Sequence, residues 1–214
     1  MSKKNEKTNA VNEALKLPLA EEFDSDLAVL LQDSEAVESI AIAAMDLDNF
    51  LTVNERHGYA EGDAVLIAAG QYFREQLPEG AKLYRYAGDM FYILFAPGTE
   101  KEDAFLKMEQ LRKGYSVATH DGVRQTITIG IASAPEDGAR AAELISRADG
   151  ALYRAKANGR DRICLAREEK MVTKTSHYTV DQLQRLTKLS KREGVGEAVL
   201  LREALNALLK KYEV

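Results

Sequence analysis

The sequence predicts an α/β sandwich of ferredoxin-like type, with helices packed on a mixed sheet and a small separate unit at the C-terminal end. Three observations lead there. Apolar, β-rich runs alternate with segments whose apolar residues recur every three or four positions. Two of the β-rich runs face each other across a tight turn, as an antiparallel hairpin requires. The 214 residues, 45% hydrophobic and 29% charged, suffice for one good-sized core with a small module attached.

Taken in order, residues 1–18 are polar and without period, and read as a disordered tail. From Pro18 onward Leu19, Phe23, Leu27, Leu30 and Leu31 mark an amphipathic helix. Ile40-Ala41-Ile42-Ala43-Ala44-Met45 is a continuous apolar run of the length expected for a buried central strand. An irregular stretch is expected to Tyr59, then a helix over residues 60–77 that Pro78-Glu79-Gly80 stops. The hairpin joins Leu83–Tyr86 to Phe91–Phe95 with Gly88-Asp89 at its tip, and its aromatic residues read as packing. Residues 101–113 suggest a helix. Residues 115–119 and 126–132 suggest two strands joined by a turn at Asp121-Gly122. A helix over 139–157 and a short strand over 162–165, with Cys164 buried on it, complete this body. His57 and His120 have no acid or cysteine at telling spacing and read as loop residues. Residues 166–173 form a polar linker. The remaining 174–214 then make a strand-compatible segment, a Thr179/Gln182 capping box, and two helices divided at Gly194. Such a short unit buries too little surface alone and needs a second copy of itself.

No run approaches the roughly 18 apolar residues that cross a bilayer. No apolar stretch follows the basic Met1–Lys7, as a secretion signal would require, so a cytoplasmic chain without membrane contact is expected. The single Cys164 excludes an internal disulfide and a cysteine zinc cluster. The net charge of −5 divides unevenly: residues 167–214 hold ten Lys and Arg against seven Asp and Glu, and the preceding body 19 against 27. An acidic body with a mildly basic tail hints at two modules with different partners.

Asp46 and Asp48 stand two apart at the end of the apolar strand, so their side chains share one face. A buried carboxylate pair wants a cation. Asp89 at the hairpin tip could reach the same place if the hairpin neighbours that strand, and Lys156 and Arg160, one helical turn apart, offer two cations for phosphate. Spacing by itself also suits surface carboxylates and a solvated helix end.

The assembled words say more. Arg85-Tyr86-Ala87-Gly88-Asp89-Met90-Phe91 resembles the RYGGDEF signature of the GGDEF (diguanylate cyclase) family. Asp46-Leu47-Asp48-Asn49-Phe50 is similar to its DxDxF strand end, and Asn54 with Gly62-Asp63 to its ND…GHxxGD stretch. Thr128-Ile129-Gly130-Ile131-Ala132 resembles its SIGVA strand, and Ala148 to Arg160 its ADxALYxAKxxGRN helix end. The resemblance implies the family's nucleotidyl-cyclase-like form of the ferredoxin-type sandwich over 19–165. It further implies that Asp46, the Leu47 carbonyl and Asp89 hold Mg²⁺ with GTP. By the same resemblance Asn54 and Asp63 hydrogen-bond guanine, Lys156 and Arg160 grip phosphates, and Phe50 and Gly88 line the nucleotide site.

The departures bear on activity. Met90 stands at the signature's Glu position, removing a carboxylate and leaving Asp89 as the residual catalytic acid; Ala87 replaces the first Gly and Leu51 a usual Lys. The Asp-x-Leu-Thr turn that precedes the family's first helix is missing around Leu17–Asp24. Phosphoryl transfer is catalysed by positioning and electrostatics, so a lost metal ligand strikes at the chemistry itself, whereas the nucleotide-holding residues remain. The family's product-inhibition motif RxxD is replaced by Pro78-Glu79-Gly80-Ala81, which implies no cyclic di-GMP capture there.

Residues 174–212 resemble the ribbon-helix-helix family, whose IREAL run is similar to the stretch Leu200-Leu201-Arg202-Glu203-Ala204-Leu205. The resemblance implies a homodimer whose paired strands enter the major groove of DNA, with Thr173, Thr175 and His177 toward the bases and Lys174 toward phosphate. The expectation is a guanine-nucleotide-responsive, DNA-binding transcriptional regulator with a degenerate sensor domain. The alternatives are an active cyclase whose tail only dimerises, and a scaffold with a pocket that binds nothing.

Overall fold

The computed structural model describes residues 10–33, 39–166, 178–193 and 196–212. The chain divides into two compact units, Met1–Glu169 and Lys170–Val214. The expected DNA-contacting strand lies outside the described residues, as do residues 1–9 and 167–173 of the expected tail and linker.

In the first unit a five-stranded mixed sheet runs in the order β2-β3-β1-β4-β5. Its centre is β1 (Ile40–Leu47), every residue of which is buried, as the unbroken apolar run requires. β1 is antiparallel both to β3 (Met90–Leu94) and to β4 (Ile127–Ala134), while β2 (Lys82–Ala87) closes the hairpin with β3 and β5 (Ile163–Leu165) adds in parallel to β4. Alternation along β1 splits the core. Ala41, Ala43 and Met45 face a cluster with Phe73, Met108 and Tyr115. Ile40, Ile42 and Ala44 face one with Phe23, Tyr84, Tyr92, Leu144 and Leu152.

The helices of the first cluster's side are α1 (residues 10–15), α3 (Phe50–His57), α4 (Tyr59–Glu75) and α5 (Lys101–Gly114). Those of the second are α2 (Ala20–Asp33) and α6 (Ala141–Ala157). α6 lies directly on β4, because Gly130 has no side chain there: a Cβ would stand 2.2 Å from the Ala148 carbonyl oxygen and 2.3 Å from the Leu152 nitrogen.

The structure corrects four expectations. Residues 10–15 are helical rather than part of a disordered tail, with Val11 and Leu15 buried, and Leu15 fills the space left by Gly70. A segment so short shows no period, and its order comes from docking. The stretch before Tyr59 is the helix α3, which buries only Val53 and starts from Asn49 in left-handed conformation, so neither periodicity nor a cap announces it. Residues 115–119 make no strand but a single bridge, Ala118 to Arg124. Thr119 Oγ1 accepts from the Val123 amide at 3.1 Å, diverting a group that a ladder would use. Cys164 is half-buried rather than buried.

In the second unit α7 (Val180–Glu193) and α8 (Glu197–Lys211) form a helical hairpin. The capping box is present: the Thr179 amide donates to Gln182 Oε1 at 2.9 Å and the Gln182 amide to Thr179 Oγ1 at 3.2 Å. Thr187 Oγ1 donates to Glu197 Oε1 at 2.6 Å, tying the helices together. Leu183, Leu205, Leu208 and Tyr212 are exposed. No described helix is long and apolar enough to cross a membrane.

The contact at Gly130 generates a prediction. Gly130→Ala forces α6 off the sheet and lowers stability by about 1–3 kcal/mol or more, read as a reduced urea midpoint with an unchanged slope.

Candidate functional site

The site forms where β1 ends. Asp46 and Asp48 are 6% and 3% exposed, so each must find partners inside the protein. Asp46 is met by Lys156 from the last turn of α6, whose Nζ stands 2.7 Å from Asp46 Oδ2. Burial still pushes the Asp46 carboxyl up to about 6, against the Lys156 hydrogen bond that lowers it and with the neighbouring Asp89 charge adding to the rise.

Asp48 is satisfied differently. Its Oδ1 accepts from Thr128 Oγ1 at 2.6 Å, and its Oδ2 accepts from Thr126 Oγ1 at 2.7 Å and from the Asp161 amide at 3.1 Å. The last bond reaches the turn beyond α6, in which Arg160 and Asp161 are both left-handed at φ 62° and 44°. Asp48 is therefore a clasp that holds the Arg160 turn against the sheet. The shared strand face was legible in the sequence. This division of labour was not, because the donors to Asp48 lie about 80 and 113 residues away.

The hairpin delivers Asp89. β3 pairs with β1, and the Leu47 amide donates to the Asp89 carbonyl at 3.4 Å, which docks the tip beside the strand end. Gly88 at φ 54° makes the tight turn. Arg85, 6% exposed, stiffens it by donating to the Gly88 carbonyl at 3.1 Å and to Asn12 Oδ1 on α1. Burial raises the Asp89 carboxyl, with Lys156 opposing. Met90 lies directly opposite Asp46 in the ladder, so the two side chains share a face of the sheet. Met90 is half-buried against the apolar cluster of Phe23, Tyr84 and Tyr92.

α3 and α4 carry the remaining residues. Asn54 is half-buried on α3, and its Oδ1 occupies the space beside Gly62, where a Cβ would stand 2.0 Å away. Gly62 thus admits the Asn54 amide, and Asp63 follows it, half-buried and within electrostatic reach of Arg85. Phe50 packs partly buried against the core and beside Gly62, a bracing position. Arg160 is exposed. Asp46, Lys156, Asp89 and Met90 are thus brought to one strand end, with Arg160 held in place by Asp48. Thr173, Lys174, Thr175 and His177 lie outside the described residues.

The sequence reading missed two features. Arg85 reads as part of a signature and proves to be a buried brace. His57 and His120, which showed no acidic partner in sequence, lie near Asp121 and Glu61 at 3.7 and 3.3 Å. Only long-range pairing could have found either.

The Asp48 clasp yields an expected outcome. Asp48→Ala removes the acceptor of two threonine hydroxyls and one of the two acceptors of the Asp161 amide, which keeps Thr128 Oγ1, costing about 1–3 kcal/mol in urea unfolding and loosening the turn that carries Arg160.

Comparison with known proteins agrees with this geometry. Residues 16–162 match the family described as "Diguanylate cyclase, GGDEF domain", and residues 173–213 a "Ribbon-helix-helix domain". The chain is 36% identical over 149 residues to the diguanylate cyclase TpbB of Pseudomonas aeruginosa, covering 67% of this chain and 34% of that protein. It is 30% identical over 145 residues to diguanylate cyclase A of Treponema denticola, covering 66% of this chain and 39% of that one. It thus spans well under half the length of these relatives. Among solved structures, the GGDEF domain of TpbB superposes with a TM-score of 0.68 at 34% identity, over 72% of this chain and 99% of that one. The active GGEEF domain of a Vibrio cholerae diguanylate cyclase gives 0.66 at 26% identity, over 72% and 99%. A match to more than half the chain and a shared fold make this protein a member of the GGDEF (diguanylate cyclase) family, its GGDEF domain followed by a ribbon-helix-helix domain.

Proposed function

We propose that the chain is a guanine-nucleotide-responsive, DNA-binding transcriptional regulator whose GGDEF domain senses nucleotide with little or no turnover. The observation that carries this reading is the register of Met90 against Asp46. A glutamate at position 90 would add its carboxylate beside Asp46, whereas Met90 packs against apolar neighbours.

The remaining donors suit a hard dication. Asp46, Asp89 and the Leu47 carbonyl offer oxygen only, and burial raises both carboxyls, the mark of carboxylates short of positive charge. These three would hold Mg²⁺, which supplies neutralisation of a nucleotide triphosphate. Lys156, already at the carboxylates, would turn to phosphate with Arg160, and Asn54 and Asp63 would read guanine, with Gly88 allowing close approach of the hairpin backbone. In this reading the sensor occupies 19–165 and a linker 166–173, and 174–214 pairs with a second copy. The exposed Leu183, Leu205, Leu208 and Tyr212 support that pairing. Thr173, Thr175 and His177 would contact bases and Lys174 phosphate.

A second reading, an active diguanylate cyclase whose tail only dimerises, draws support from the retained Asp46 and Asp89 and from relatives named as diguanylate cyclases.

Calorimetry with GTP and Mg²⁺ is expected to show binding that Lys156→Ala weakens by about tenfold or more, the worth of a charge-assisted contact. Incubation followed by product chromatography is expected to yield little cyclic dinucleotide from the parent and more from Met90→Glu. Brisk turnover by the parent selects the second reading. A gel shift is expected to distinguish operator from scrambled DNA and to change with GTP; equal affinity in every condition removes the regulator reading.

A further inference from the structure

We propose that His57, His120 and Asp121, with Glu61 beside His120, form a binding site for a borderline transition-metal dication such as Zn²⁺, separate from the carboxylates at the end of β1. His57 is the last residue of α3 and Glu61 lies in the first turn of α4. His120 and Asp121 sit in the turn closed by the Ala118–Arg124 bridge. Donor atoms of His57, His120 and Asp121 all lie within 4.8 Å of one another. His57 Nε2 stands 3.7 Å from Asp121 Oδ2, and His120 Nδ1 stands 3.3 Å from Glu61 Oε2.

These separations are long for hydrogen bonds. They are close to the ligand–ligand edge of a tetrahedron with bonds of about 2.0–2.1 Å, which is roughly 3.3–3.4 Å. The two imidazoles cross edge to face with centroids 5.2 Å apart, an arrangement that small rotations convert to shared ligation, and the His120 side chain is 65% exposed and able to make them.

The carboxylates are held ready. Asp121 Oδ1 accepts from Thr119 Oγ1 at 2.5 Å, which fixes the carboxylate beside His57. Glu61 Oε1 accepts from the His120 amide at 2.6 Å, leaving Oε2 toward the imidazole. Second-shell anchoring of this kind is what metal sites need. A cavity of about 390 Å³ bordered by His57, Thr119 and Asp121 gives access. Of the arginines bordering it, Arg124 donates to the Tyr115 carbonyl at 2.9 Å. Nitrogen donors mixed with carboxylates select Zn²⁺ and its neighbours over Mg²⁺.

The test is calorimetry and thermal unfolding of the full chain with ZnCl2 and, separately, MgCl2. The wild type is expected to bind one Zn²⁺ and to melt higher with zinc but not with magnesium, because an ion that binds only the folded state stabilises it. His120→Gln, at an exposed position, and the double variant His57→Gln/His120→Gln are each expected to lose about tenfold or more in zinc affinity, together with the melting shift. His177→Gln and Cys164→Ser, which remove the other nitrogen and sulfur donors, are expected to bind as the wild type does. Undiminished binding by the double variant, loss caused by His177→Gln or Cys164→Ser, or absence of binding by the wild type would overturn the proposal.

Discussion

Two carboxylates at the end of a fully buried strand dictate most of what surrounds them. β1 carries its apolar run into the core and finishes with Asp46 and Asp48, both almost inaccessible. A buried carboxylate without partners costs several kcal/mol, so the fold must bring donors to that point. It does so from three directions: Lys156 from the end of α6, Thr126 and Thr128 from β4 and the residue before it, and the Asp161 amide from the turn after α6. Gly130 lets α6 approach β4 closely enough for its last turn to serve. The left-handed pair Arg160-Asp161 aims a backbone N–H inward while keeping the Arg160 side chain outside.

The same constraint explains why the strand end can act as a site. Asp48 is fully engaged and serves as structure. Asp46 is only partly neutralised, since Lys156 does not offset the cost of burial, and Asp89 on the docked hairpin adds a further buried carboxyl. The result is a local deficit of positive charge at the mouth of the sheet, where the Lys156 ammonium meets Asp46. Met90 stands on the same face and contributes apolar surface.

Much of this was legible in the chain. A continuous apolar run reads as a central strand because both of its faces are covered. Gly88-Asp89 between aromatic, β-branched runs reads as a hairpin because only a two-residue turn fits. Thr179 and Gln182 read as a helix start because their side chains can satisfy each other's amides, and they do. Asp46, Asp89 and Lys156 fall in separate motif words that resemble one family, so residue identity alone groups them. Elements shorter than about two turns escaped, since periodicity needs length: α1 and α3 are ordered by docking against Gly70, Arg85 and the core rather than by their own pattern.

The amino-acid order alone determined the alternation of strands and helices, the hairpin, the family words and the substitution of Met90, because these rest on local periodicity and on residue identity. Tertiary structure decided that Asp48 is the clasp while Asp46 keeps a raised carboxyl beside Lys156, that Arg85 is a buried brace, and that His57 and His120 share a corner with Asp121 and Glu61. Those outcomes depend on burial and on partners distant in sequence, and a carboxylate or imidazole acquires its role from what the fold sets beside it.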